Sequence, residues 1–124
     1  MKRISTLKKN YEFKNVLKKG NFYKGKYIII YINKNTEEKN KIGIAISKKL
    51  AKANKRNRIK RLVRESYQSQ KDNIKKGYNI VFIWNKHADI INNTYKDINE
   101  DIIKLFNKAG ILDENNNDLF NKNI

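Results

Sequence analysis

The sequence predicts an α+β fold, a mixed α/β sandwich in which one mixed sheet packs against helices. Three observations carry that reading. Stretches with apolar residues at helical spacing alternate with short β-branched runs, in the order helix, two or three strands, helix, strand, helix. The central strand–helix–strand unit requires a parallel pair, because a tight hairpin joins only antiparallel strands. The chain of 124 residues has no Pro, five Gly, no linker and no internal repeat, which fits a single domain over residues 1–112. The polar, Asn-rich tail over residues 113–124 is expected to fray.

The elements follow in order. "NYEFKNVLKKG" (10–20) reads as a helix with Asn10 as N-cap, Phe13, Val16 and Leu17 as its apolar stripe and Gly20 as C-cap. "FYKG" (22–25) adds a short strand. "KYIIIYIN" (26–33) and "KIGIAIS" (41–47) are strands, and the polar link "KNTEEKN" between them predicts an antiparallel hairpin or meander. A helix from Ala53 to Gln70 buries Ile59, Leu62, Val63, Ser66 and Tyr67, spaced i, i+3, i+4, i+7, i+8. Asn57, Arg61 and Arg64 fall opposite that stripe, with Arg58 and Lys60 on its flanks. "GYNIVFIW" (77–84), apolar almost throughout, is a central strand. The last helix lies within residues 93–110, with a capping box between Thr94 and Asp97, a stripe of Ile98, Ile102, Leu105 and Phe106, and Gly110 at its end.

Charge says most about function. Lys and Arg total 29 against 12 Asp and Glu, a formal net charge of +17. Residues 1–64 hold 21 of the basic side chains and 3 acids, a net of +18; the remainder nets −1. Biased composition would spread the charge evenly, so the asymmetry points to a partner surface. It peaks in "KANKRNRIKRLVRE" (52–65), with seven Lys or Arg. Like charges at i, i+4 repel, and a polyanion is the natural compensation. A solvated basic face with no specific partner is the plainer reading. An anionic membrane fits less well, since it calls for exposed Trp, Phe or Leu on an amphipathic helix. The longest apolar stretch, "YIIIYI", is too short to span a bilayer. The basic start "MKRISTLKKN" lacks the apolar core of a signal peptide, so the expected location is the cytoplasm.

Catalytic chemistry is sparse. The absence of Cys removes thiolate nucleophiles, disulfides and thiolate zinc sites. The one histidine, His87, follows a strand with no evident partner. Asp97 and Asp101, at i, i+4, could clasp a hard cation, but a solvated face shared with Lys96 and Lys104 is the expectation. No phosphate loop or zinc spacing occurs. The chain by itself does not read as an enzyme, and no metal or cofactor is expected on it. Binding residues are better marked. Arg grips phosphate through paired N–H bonds, and Lys48, Lys49 and Lys52 crowd the N-terminus of the basic helix, where backbone N–H groups also favour anions. Phe13 and Tyr31 offer stacking surfaces for unpaired bases, although spacing alone reads Phe13 as core.

These residues resemble the protein subunit of bacterial ribonuclease P. The likeness rests on "KRNRIKRLVRE", on the lead-in "IGIAISKKLAKA", on the first helix "LKKNYEFKNVLKKG" with Phe13 and the Val16–Leu17 pair in register, and on the later strand and helix. It covers residues 5–108. The resemblance implies the order α-β-β-β-α-β-α in a ribosomal protein S5 domain 2-like fold with a left-handed βαβ crossover. It also implies a function in which the catalyst is an RNA. The protein binds that RNA and the 5′ leader of precursor tRNA, aiding Mg²⁺-dependent removal of the leader, and needs no other obligate protein partner. By the same resemblance, Arg56, Asn57, Arg58, Lys60, Arg61 and Arg64 face RNA, as do Lys48 and Lys49. Lys52 adds a further phosphate contact. Phe13, Leu17 and Tyr31 match the leader cleft. Ala51 and Lys52 stand where the family often has Gly and Asn, and Leu17 stands where it often has Phe. "IWNKHA" replaces a segment commonly carrying Arg and Pro, so no role attaches to Trp84 or His87. The competing classes are a ribosomal or other structural RNA-binding protein and a protein-only nuclease.

Overall fold

A computed structural model describes residues 4–113; the tail from residue 114 onward lies outside the described residues. The elements are α1 (Asn10–Lys19), β1 (Asn21–Lys24), β2 (Ile28–Lys34), β3 (Lys41–Ala45), α2 (Ala53–Gln70), β4 (Tyr78–Trp84) and α3 (Tyr95–Lys108), with a 3-10 turn at Lys71–Asn73 after α2. The predicted α-β-β-β-α-β-α order and the α2 boundaries hold.

The expected pairing of β2 with β3 does not. The sheet order is β1-β2-β4-β3, with β4 antiparallel to β2 and parallel to β3. β4 is the most apolar strand, and Ile80, Val81, Phe82 and Trp84 are all buried, so it takes the centre. β3 carries Gly43 and only five residues, and it goes to the edge. There the N-terminal segment straps its first half. Ile42 N–H donates to Ser5 O (3.0 Å), and Leu7 N–H donates to Ile42 O (2.9 Å).

Strand alternation divides the sheet into two faces. Ile28, Ile30 and Ile32 of β2, Ile42 of β3, and Ile80, Phe82 and Trp84 of β4 form the main core. They pack with Ile59, Leu62, Val63 and Tyr67 of α2 and with Ile98, Ile102, Leu105 and Phe106 of α3. Phe82 meets both Tyr67 and Phe106 edge-on. Among the described residues the other face is covered by α1 and the N-terminal strap, whose Val16 and Leu7 seal a small cluster with Val81. α1 begins one residue earlier than expected: Lys9, not Asn10, is the N-cap, and Asn10 is the first helical residue.

The reading of Asp97 and Asp101 as a solvated face or cation clasp is overturned. Asp97 closes the Thr94 capping box. Asp101 is 7% exposed and turns inward, accepting backbone N–H bonds from Lys26 (2.8 Å), Tyr27 (2.9 Å) and Ile28 (2.9 Å). The β1–β2 turn has no internal partners for these donors, and a buried carboxylate with three of them is well compensated. On the same turn, Tyr27 O accepts from the Asn85 backbone N–H (2.8 Å), and the Asn85 amide reaches Gly25 O and Lys26 O (3.4 Å each). Gly25 is obligatory here, since a Cβ would lie 2.5 and 2.6 Å from the Asp101 oxygens.

Burial pushes the Tyr67 hydroxyl up to about 12, a shift opposed by its hydrogen bond with Asn40. The folded state therefore keeps a proton that the unfolded chain releases at its ordinary value of 10.0. Stability should fall as pH rises from about 10 to about 12, and Tyr67→Phe should flatten that fall. Denaturant titrations of both proteins across this range provide the check.

Candidate nucleic-acid interface

The interface is built from two adjoining surfaces, the outer face of α2 and the open half of the sheet. α2 packs through its apolar stripe, which leaves Asn57, Arg61 and Arg64 exposed as the spacing requires. Its N-cap is Lys52, with no side-chain cap and no acid in the first turn, so its leading N–H groups add to the field of Lys48, Lys49 and Lys52, all exposed. The acids of the first half do little to blunt this face. Glu37 and Glu12 both turn to Lys41, 3.1 and 3.8 Å away. Arg61 meets Glu65 only at 4.0 Å, between largely exposed side chains, a pair worth little in water.

Three members of the predicted set sit differently. Arg58 is half-buried and already committed: its guanidinium donates to Asn93 Oδ1 (2.9 Å) and to Asn93 O (2.7 Å). It pins the loop after β4 to α2, and little of its donor fork is left for RNA. Arg56 is also half-buried, and its Nε is buried without a partner. Lys60 is half-buried and points with Arg64 toward β3 and Phe13.

The sheet face explains the aromatics. The register aligns Phe22, Tyr31, Val81 and Gly43 in one row across the four strands, and Lys24, Ile29, Ile83 and Ala45 in the next. α1 covers one side of this surface. Phe13 lies over Gly43, whose missing Cβ makes room for the ring. Leu17, 38% exposed, stands one turn along the same helix. Phe13 packs beside Tyr31 and Ile83 around Val16 and Val81, and Tyr31, Ile29, Ile83 and Ala45 on this face of the sheet are all half-buried. Phe22 was not singled out by the sequence reasoning. It is 63% exposed and its ring centroid lies 5.8 Å from that of Tyr31. Its alternation with Tyr23 on a strand paired to β2 was the available signal.

The two residues left without a role, His87 and Trp84, sit apart from these surfaces. His87 is exposed, and Trp84 is core, its indole donating to Ala88 O (3.2 Å). Among the described residues no group of three His, Cys, Asp or Glu could hold a metal, and no helix is long and apolar enough to cross a membrane.

A basic helix beside a half-open sheet face lined with aromatic and aliphatic side chains defines a small RNA-binding domain of the mixed α+β class. Comparison with known proteins narrows this. The family model for ribonuclease P matches residues 1–110, and the chain belongs to that family of proteins. It is 42% identical over 106 residues to the ribonuclease P protein component of Clostridium botulinum (strain Langeland), covering 85% of this chain and 94% of the relative. It is 41% identical over 110 residues to that of Clostridioides difficile, covering 88% and 95%. Among solved structures, the RNase P protein of Staphylococcus aureus superposes with a TM-score of 0.79 at 28% identity, covering 90% of this chain and 100% of that one. The protein from Thermotoga maritima gives 0.76 at 26%, covering 84% and 96%.

Proposed function

We propose that this chain is the protein subunit of a ribonuclease P ribonucleoprotein that removes the 5′ leader of precursor tRNA. In this reading the catalytic RNA performs the cleavage with Mg²⁺, and the protein contributes no catalytic group and no metal site. The basic surface made of Lys48, Lys49, Lys52, Arg56, Asn57, Lys60, Arg61 and Arg64 binds the catalytic RNA, with Arg58 serving mainly to hold the loop after β4. The sheet groove of Phe13, Leu17 and Tyr31 binds the unpaired leader. The holoenzyme works in the cytoplasm and needs no other obligate protein partner. The observation that carries this is an adjacency: Phe13 of α1 lines one hollow with Lys60 and Arg64 of the basic helix. A ribosomal role would account for the charge but not for this groove.

Cleavage of precursor tRNA tests it with protein alone, catalytic RNA alone at low Mg²⁺, and both together. Only the combination should be active. Activity of the protein alone would refute the division of labour.

The RNA-binding face makes a separate prediction. Arg61 and Arg64 are exposed, so replacing both with Ala should leave the fold intact and weaken binding to the catalytic RNA. Each phosphate contact contributes about −0.7 to −0.9 to the slope of log affinity against log salt. The double variant should therefore lower the magnitude of the slope by about 1.4 to 1.8. An unchanged slope would place the RNA face elsewhere.

A further inference from the structure

α1 divides the sheet face beneath it into two unlike halves. Val16 meets Val81 below, and Phe13 leans to one side, over Gly43 and the apolar rows. On the other side the next row is polar: Asn33 of β2, Asn79 of β4 and Lys41 of β3 stand in register. At about 100° per residue, Glu12, Asn15 and Lys19 fall on this side of Val16, with Tyr11, Lys14 and Lys18 pointing outward above them. These α1 side chains, with Lys41 and Asn79, line an open trough of about 600 Å³. Lys14, Lys18 and Lys19 are exposed, and none of them has a carboxylate partner among the described residues. Glu12, the acid in the lining, is turned to Lys41 at 3.8 Å. The trough therefore presents three uncompensated cations.

We propose that this trough is a second RNA-binding site, which holds the sugar–phosphate backbone of a paired segment of the catalytic RNA. The inference rests on the function proposed above and adds to it a face of α1 turned away from the basic helix. Lysines on flexible stems supply point charge for phosphates without demanding one geometry. Backbone is favoured over bases because Tyr11 is the only ring in the lining and the sheet row beneath is polar, so a run of unpaired bases has nothing to stack on. The Asn15 amide and the Nδ2 of Asn79, whose Oδ1 accepts from Asn35 (3.0 Å), suit ribose hydroxyls. Paired RNA displays hydroxyls and phosphates together across its shallow minor groove. The catalytic RNA is the source because the cationic rim is continuous with α2. Lys60 and Arg64 share a hollow with Thr6 of the strap, Thr6 shares the next with Lys8, Lys39 and Lys41, and Lys41 borders the trough. One RNA can follow this rim around the edge of β3 from the basic helix to α1.

The test combines Lys14→Gln, Lys18→Gln and Lys19→Gln in the full chain. The control combines Lys96→Gln, Lys104→Gln and Lys108→Gln, which removes the same charge from exposed positions of α3 on the opposite face of the sheet. Gln is a good helix former, so both variants should fold. Affinity for the catalytic RNA alone is measured across a salt series. Each phosphate contact contributes about 0.7 to 0.9 to the magnitude of the log–log slope, so the α1 variant should lose about 2.1 to 2.7 and the α3 variant should keep the wild-type slope. A second readout is direct. The chain has no Cys, so Asn15→Cys carries a single iron-chelate probe. In the holoenzyme, hydroxyl radicals released there should cut both strands of one helical segment of the catalytic RNA. An equal loss of slope in both variants would show a response to total charge and no site. Cuts confined to the leader or the tRNA body, with an unchanged slope for the catalytic RNA, would give the trough to the substrate. An unchanged slope and no cuts would show that no RNA lies there. Each of these three results overturns the proposal. In all of them the Arg61 and Arg64 double variant still loses its share of the slope, so the failure is separable from failure of the function itself.

Discussion

Asp101→Ala should destabilise the domain by about 3–5 kcal/mol, because it leaves three buried or half-buried backbone donors without their acceptor. Each orphaned donor costs about 1–3 kcal/mol, and relaxation of the β1–β2 turn toward water recovers part of the sum. Asp101→Asn should cost less, since one amide oxygen still accepts while the amide nitrogen faces an N–H group. Urea denaturation of the three proteins reads the difference. A loss below about 1 kcal/mol for the Ala variant would mean that Asn85 and the Gly25 N–H bond to Ile28 O suffice to hold the turn. The damage should also reach function, because the turn sets the spacing of β1 and β2, and those strands present Phe22 and Tyr31.

The second large effect is on substrate. Phe13→Ala should weaken binding of precursor tRNA to the holoenzyme while barely changing binding of mature tRNA. Loss of one stacking ring costs about 1–3 kcal/mol per base, roughly a factor of 5 to 150 in affinity. The ring is half-buried over Gly43, so stability must be read separately. Truncating a fully buried Phe costs about 3–5 kcal/mol, and a half-buried one should cost less. Phe13→Leu provides the control. It restores most of the packing volume without a flat face, so it should recover stability and not leader affinity. Tyr31→Ala should follow the Phe13 pattern, and Leu17→Ala should show a smaller effect. If Phe13→Ala lowers affinity equally for tRNAs with and without a leader in a folded protein, the stacking role is wrong.

Much of this was legible in the sequence, and the parts that were not share a cause. α2 was readable to its ends, because its stripe from Ile59 to Tyr67 depends only on helical period, and all five stripe residues are buried. The α3 capping box was readable because Thr94 and Asp97 are three residues apart. The misreadings involve partners distant along the chain. The pairing of β2 and β3 was inferred from a short polar link, but the strand that separates them arrives more than thirty residues later. Asp101 looked solvated because Asp97 at i−4 and Lys104 at i+3 are charged; its true partners are 73 to 75 residues away. Arg58 looked like an RNA contact for its place in a basic run, and its acceptor, Asn93, lies 35 residues on. Phe13 was ambiguous for another reason. Periodicity marks it as inward-facing on α1 but cannot say that the sheet beneath is only partly covered.

The insertion of β4 between β2 and β3 has a consequence for how the protein comes into being. A nascent chain is made from its N-terminus, and its first 64 residues bring a net charge of +18 before any of β4 exists. Until Trp84 has emerged, β3 has only the strap to pair with, and until Asp101 has emerged the β1–β2 turn lacks its carboxylate. Early segments thus depend on late ones for their partners, a pattern of non-local contacts of the kind that slows folding. During that interval the strongly basic half is unfolded and self-repelling, surrounded in the cell by RNA. Any polyanion that gathers its charges and favours the native arrangement pulls the last steps forward by mass action.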